Sequence, residues 1–465
     1  MSIIIPANSA VGGGFEVSNG IMLNNSRLFK TPSSSGSQRK FTFSAWIKKS
    51  DFSSGVIFSS GESDGNPNFA LYFDSASRLN LYSSQGMEYR TNAVFRDPSA
   101  WMNIVISVNT AISNASNRQL IWVNGVQQTS FSTSNSIAQN TDLSINTSAY
   151  RMAVGTGVDN QDYFGGYVAE VVFLDDQALG HLSFGEFDSD SGIWKPIAIS
   201  GSAATPGTNG FYLNFQDSGN LGNDEFGGTD LSVSDIVATD QSTDTCTNNF
   251  ATFNPLFTPN PSNVSTFSEG NLKVVTNSTS QNSDGLSTIG VSSGKWYGEF
   301  KLIAQATGES LCGIKNNIEN PTTNGLHGTG GFSVASNGDS FNNGSSQGAG
   351  NFSASYTTND IIGIALDLDN NRVYFSKNGS YTDGSGNFDE SSPTGYFSLT
   401  SGQTYFMGVG DKSTSQSSTW LANYGSPSFA ISSGNADGNG YGNFEYAVPS
   451  GYLSLCTKNL SEALS

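Results

Sequence analysis

The chain has 465 residues, room for roughly two to four domains, and carries 39 acidic against 20 basic side chains, a net charge of −19. That balance repels phosphate backbones and argues against direct nucleic-acid binding. Apolar residues make up only 36% and charged residues 13%, yet Phe (31) and Tyr (17) are abundant. Large aromatic side chains let small cores form from such a composition, while the Gly, Ser, Asn and Thr surface suits turn-rich β-structure and hydrogen bonding to polar ligands such as glycans.

Cys246, Cys312 and Cys456 form an odd, widely spaced set with neither metal-site spacing nor a disulfide framework. The opening Met1-Ser2-Ile3-Ile4-Ile5-Pro6 has no basic n-region and no long apolar core. No run approaches the roughly 18 apolar residues of a membrane span. The expectation is a chain that folds in a cytoplasm and does not cross a membrane. Asn-x-Ser/Thr triplets at Asn114, Asn263, Asn277 and Asn351 carry little weight in this composition.

Helical periodicity is nearly absent, and period-two runs bounded by Gly, Asn, Ser and Asp recur, which predicts an all-β protein. Residues 1–37 read as an N-terminal segment whose apolar start could add to a partner's sheet edge. From 38 to 180 the predicted strands are 41–47, 69–73, 79–82, 101–108, 152–155 and 167–174. Between them Ile121-Trp122-Val123 runs into Asn124-Gly125, a hairpin signal because both turn residues tolerate positive φ. Residues 181–285 read as a linker region, partly β, with turn clusters, Trp194-Lys195-Pro196 and one clear strand at 211–215. Isolated apolar bursts favour its wrapping the two flanking sandwiches.

From 286 to 465 a second block follows, with strands predicted at 295–302, 361–367, 405–410 and 420–425. Its hairpin, Val373-Tyr374-Phe375-Ser376-Lys377-Asn378-Gly379, repeats the Asn-Gly signal. The tail Gly451-Tyr452-Leu453-Ser454-Leu455-Cys456 is apolar enough to dock on a core or a neighbouring subunit.

The first block resembles the laminin-G-like, or concanavalin-like, sandwich in Phe43-Ser44-Ala45-Trp46-Ile47, Trp101-Met102-Asn103-Ile104, Trp122-Val123-Asn124-Gly125 and Phe164-Gly165-Gly166-Tyr167-Val168-Ala169-Glu170-Val171. The second resembles a SPRY domain in Gly294-Lys295-Trp296-Tyr297-Gly298-Glu299, Leu366-Asp367-Leu368-Asp369, Tyr374-Phe375-Ser376-Lys377-Asn378-Gly379 and Trp420-Leu421-Ala422-Asn423-Tyr424-Gly425. The resemblance implies two concanavalin-like antiparallel β-sandwiches of jelly-roll type. With Gly192-Ile193-Trp194-Lys195-Pro196 and Phe250 to Leu256 between them, the tandem resembles virion structural proteins of tailed, marine-type phages. That implies a tail fibre or appendage on the virion surface, binding a host-surface glycan or protein and touching other virion proteins through its N-terminal segment. A homo-oligomer follows, a trimer if it is a fibre. Alternatives are a head decoration without a receptor role and a glycan depolymerase.

Catalysis has little support in the residues, and the expectation is a binding protein, not an enzyme. His181 and His327 read as loop histidines, and no Gly-x-Ser-x-Gly elbow is present. Glu170 is the glycosidase-type candidate, with Ala169 and Val171 expected on the opposite face. It lacks a second acid in a recognisable run, although such enzymes need two about 5–9.5 Å apart. The laminin-G resemblance also implies calcium at a sandwich rim, with oxygen-rich Asp159, Asp162 and Asp64 as ligands. No other cofactor is implied. The strand tryptophans Trp46, Trp101, Trp122, Trp296 and Trp420 read as packing residues, and the loop aromatics Tyr163, Phe164 and Tyr381 as ligand contacts.

Overall fold

The computed structural model describes residues 14–62, 65–257, 264–277, 283–306, 309–316, 325–412 and 416–463. The chain forms two compact units that divide between Asn249 and Phe250.

In the first unit two eight-stranded antiparallel sheets face each other. One runs Val126–Gln127, Gln119–Val123, Met102–Asn109, Lys40–Lys49, Gly166–Asp175, Gly20–Leu23 and Gln241–Ser242, with Phe211–Leu213 also pairing on Gly166–Asp175. The other runs Phe131–Asn135, Met87–Val94, Arg78–Ser83, Phe69–Phe73, Gly55–Gly61, Arg151–Val154, Arg27–Lys30 and Ser232–Ser234. Alternation sends Phe41, Phe43, Ala45 and Ile47 between the sheets, where they are fully buried. Phe43 stacks on Phe58 of the facing sheet at 4.5 Å and 11°, and Phe41 meets Phe69 edge-on at 5.4 Å. These rings, each burying a large area, pack among aliphatic side chains such as Ile47, Ile57, Leu71 and Ile104.

The same alternation sends Trp46 outward, and Trp101 and Tyr167 pack on that outer face too. All three are buried because later chain covers them, in a layer with Val17, Trp194 and Cys246. The 181–285 region, expected to wrap the two sandwiches, divides between the units: 181–249 belong to this one and 250–285 supply strands to the second. Asp175 explains part of the stitching. Its carboxylate accepts the N–H groups of Ser37 (2.8 Å), Thr208 and Asn209 (both 3.2 Å) and the Asn146 amide (2.6 Å). Within 1–37, Gly20–Leu23 and Arg27–Lys30 are strands of the two sheets. Ser2 to Pro6 lie outside the described residues.

The second unit pairs a ten-stranded with a six-stranded sheet. The larger centres on Lys295–Ala304, flanked by Ile361–Asp367 and Thr419–Asn423. The smaller centres on Ser310–Lys315, between Gly331–Ala335 and Phe406–Asp411. Leu453–Ser454 adds in parallel to Trp296 and Tyr297, so the apolar tail docks on its own sheet. Both Asn-Gly hairpins form as the sequence predicts. Asn124 and Gly125 have φ of 48° and 72°, Asn378 and Gly379 50° and 82°, the pair of positive values a type I′ turn requires. Among the described residues no helix is long and apolar enough to cross a membrane, and all three cysteines are buried outside any disulfide.

Candidate functional site

The first hairpin becomes the floor of an aromatic surface. Trp122 points to the outer face, and the Gly125 turn passes under Trp194, where a Cβ would lie 2.3 Å from the indole ring. Glycine is needed there for contact as well as for φ. Trp194 is placed by a short hairpin, Gly185–Phe187 with Trp194–Pro196, and its indole N–H donates to Asn103 Oδ1 at 3.2 Å. His181 lies 5.4 Å from both Trp122 and Trp194, and Phe187 meets Trp194 edge-on at 4.9 Å and 67°. Trp122 and Trp194 are buried, but Phe187 is 48% exposed, with Leu182 at 65% and Val126 at 57%.

Around these rings stand ionised and polar groups. Lys195 pairs with Glu186 at 3.3 Å and Asp188 at 3.2 Å. Hydrogen bonds from Ser191, with Lys195 as a further donor, pull the Asp188 carboxyl down to about 2. Burial lowers the His181 imidazolium from its ordinary range. An exposed ring edged by donors and acceptors can stack on the apolar face of a sugar while its hydroxyls find partners. Sequence reasoning placed no contact here. The available signal was Phe187 and Trp194 on either side of Asp188-Ser189-Asp190-Ser191-Gly192, a hairpin turn between two aromatics.

The residues singled out from sequence do not converge. Phe164 is 1% exposed and belongs to the inter-sheet core, and Tyr381 is 4% exposed beneath the second unit's outer layer with Phe444 and Tyr452. Neither side chain can meet a ligand, because each follows a turn directly into a packed position. Tyr163 is half-buried, and its hydroxyl accepts from Arg27 at 3.4 Å. Asp159 caps its own loop, accepting the Gln161 N–H at 3.3 Å, and exposed Asp162 reaches the Ser54 hydroxyl at 3.5 Å. Asp64 lies outside the described residues. Among the described residues no three His, Cys, Asp or Glu side chains gather as a metal site.

Glu170 departs from simple alternation. The register shifts between Ala169 and Val172, and Glu170 takes a φ of 49°. This bulge leaves Ala169 on the outer layer and turns Val171 into the core, so the two do not share a face as expected. The Glu170 carboxylate accepts from the Tyr212 hydroxyl at 2.6 Å. Above it, Phe184, Pro196, Ile197 and Ile199 close over Ser44 and Trp46, leaving no room for a water molecule. Burial raises this carboxyl to about 7.

Two further buried acids lie in the second unit. Glu299 receives the N–H groups of Glu445 and Tyr446 at 2.9 and 2.8 Å and the Tyr297 hydroxyl at 3.0 Å. Asp284 receives the Leu326 N–H at 3.0 Å. Burial raises each to about 7. Both act as buckles for distant backbone. His327 packs edge-on against Phe341 at 5.9 Å, and burial lowers it to about 4.

With this geometry in place, comparison with known proteins is informative for the first unit. Residues 23–180 match the family model of the concanavalin A-like lectin/glucanases superfamily. That stretch is a concanavalin-like sandwich. The aromatic surface is built mainly from chain beyond it. No curated protein matches the chain. Among solved structures it is similar to a protein of Bacteroides ovatus described as carbohydrate-binding, at 14% identity and TM-score 0.35, covering 48% of this chain. The chain spans 60% of the length of that protein. It is also similar to the SPRY domain of human HERC1, at 17% identity and TM-score 0.26, covering 37% of this chain and 96% of that one. A pentraxin of Limulus polyphemus matches at 14% identity and TM-score 0.25, covering 36% of this chain and 80% of that one.

Proposed function

We propose that this chain is a virion surface protein of a tailed phage that displays two β-sandwich units, the first of which binds host-surface saccharide. The observation that carries the reading is the exposed Phe187 ring, braced by Trp194, which itself packs on His181, on a unit whose 23–180 stretch matches a lectin and glucanase family. Open aromatic patches with polar rims mark interaction sites. The tandem's resemblance to tailed-phage structural proteins supplies the particle, and cytoplasmic folding with release by lysis fits it.

Binding is favoured over depolymerase activity by the position of Glu170, which lies under packed apolar chain and is already engaged by Tyr212. A glycosidase needs its acid open to the sugar. Immunogold labelling of virions with antibody to this chain tests the particle assignment, and gold on the tail supports the fibre reading. Gold on the head favours a decoration, and unlabelled particles contradict both.

A further inference from the structure

The outer face of the first unit buries a lysine. On Lys40–Lys49 the residues 41, 43, 45 and 47 face the core, so Lys48 points the other way, under the segment 242–249. Its side chain is 1% exposed, as is that of Asp244. The Lys48 ammonium donates to Asp244 Oδ2 and, at 2.9 Å, to Asn249 Oδ1. The Tyr167 ring centre is 4.9 Å from Nζ. Two other contacts fix the orientation of the partners: the Trp101 indole N–H donates to Asp244 Oδ1 at 2.9 Å, and the Asn249 amide donates to the Ser99 carbonyl at 2.6 Å. Asp97 is the other acid acting on Lys48.

An ion pair needs only the amine and the carboxylate. Here a side-chain amide carbonyl is also held against the amine, and the amine, the amide and the carboxylate are all buried. Its carbon lies one C=O bond, about 1.2 Å, beyond the oxygen. Nζ is therefore within close reach of an electrophilic centre, and fixed proximity of this kind replaces a bimolecular encounter. We infer that Lys48 and Asn249 become joined by an intramolecular amide bond, with Asp244 as the proton carrier.

The step balances without a cofactor. Asp244 takes a proton from the Lys48 ammonium, leaving a neutral amine beside a neutral acid. Burial favours that transfer, because lost hydration lowers the Lys48 ammonium although Asp244 pulls it the other way. The amine lone pair adds to Asn249 Cγ, forming the new C–N bond. The tetrahedral centre then expels the original amide nitrogen, protonated through Asp244. An ammonium and an amide have become a secondary amide and an ammonium ion, and Asp244 is again a carboxylate. Exclusion of water suppresses the competing hydrolysis. Asn249, Trp101 and Tyr167 are each 0 to 1% exposed.

The bond would join positions 201 residues apart. Tension applied to the chain beyond residue 249 would then pass straight to the Lys40–Lys49 strand, bypassing the residues between. This inference is independent of the saccharide reading.

Intact mass of the full-length protein under denaturing conditions tests it, followed by peptide sequencing. The expected result is a chain lighter by one ammonia, with one tryptic species joining Lys48 to Asn249. Lys48→Arg and Asn249→Ala should show the full sequence mass, and Asp244→Asn should too if Asp244 carries the proton. Wild-type protein still at the sequence mass after prolonged incubation at neutral pH overturns the inference, whatever the variants do. Loss of water with Lys48 joined to Asp244 overturns the assignment of Asn249, and an Asp244→Asn chain that links as wild type overturns the role of Asp244.

Discussion

The Tyr212 hydroxyl donates to Glu170 over 2.6 Å, joining a bulged strand residue to the strand that pairs beside it. Burial holds Glu170 near 7 and also raises the Tyr212 phenol far above its usual range. Tyr212→Phe removes the one group that stabilises the ionised form from a side chain. The expected cost is about 1–2 kcal/mol at neutral pH, read by urea denaturation, with the Glu170 carboxyl titrating higher still by carbon NMR. An unchanged midpoint would show that the bond contributes nothing.

Glu299 gives a pH dependence whose sign can be worked out. Its folded value, about 7, lies above the ordinary 4.5, so the folded chain holds a proton that the unfolded chain releases. The associated stability is present below about 4.5 and is lost as pH rises through about 7. Glu299→Gln abolishes that titration. Its stability relative to wild type should therefore improve between about pH 4.5 and pH 7, by at most about 3 kcal/mol. His327, lowered to about 4, titrates in the opposite sense over part of this window, which is why the variant-minus-wild-type difference is the quantity to measure. A difference that is flat in pH would contradict the assignment.

The two hairpins differ in what rests on them. Gly125→Ala places a methyl against the Trp194 ring at a φ of 72°, and Gly379→Ala places one against Tyr446 at 82°. Each should destabilise its unit by roughly 1–3 kcal/mol through strain and crowding. The Gly125 change should also move the tryptophan fluorescence, because Trp194 must shift. Identical emission spectra for wild type and Gly125→Ala would show that the turn does not support the aromatic surface.

What could be read from the sequence was local. Strand 69–73 was readable to the residue, because Phe69, Leu71 and Phe73 alternate inward. The turns were readable because Asn-Gly has few other uses. What could not be read depended on chain far away. Trp46 and Trp101 look like core residues, and they are buried, but in an outer layer that Val17, Trp194 and Cys246 come from elsewhere in the chain to complete. Phe164 sits beside two glycines and looks like a loop tip, yet its N–H bonds to the Gly155 carbonyl and draws the ring inward. Phe187 looks unremarkable in sequence because its importance comes from the distant partners Gly125 and Trp194.

Saccharide binding is proposed for the Phe187 surface. Its most direct test is a glycan array of host-surface polysaccharides probed with the full chain and with Phe187→Ala, alongside melting curves for both. Phe187 is nearly half exposed, so its loss should leave the fold intact. Wild type should bind, and binding should weaken at least roughly tenfold, or about 1.4 kcal/mol, in the variant, with the melting temperature unchanged. Equal binding by both proteins, or none by wild type at millimolar saccharide, would contradict it.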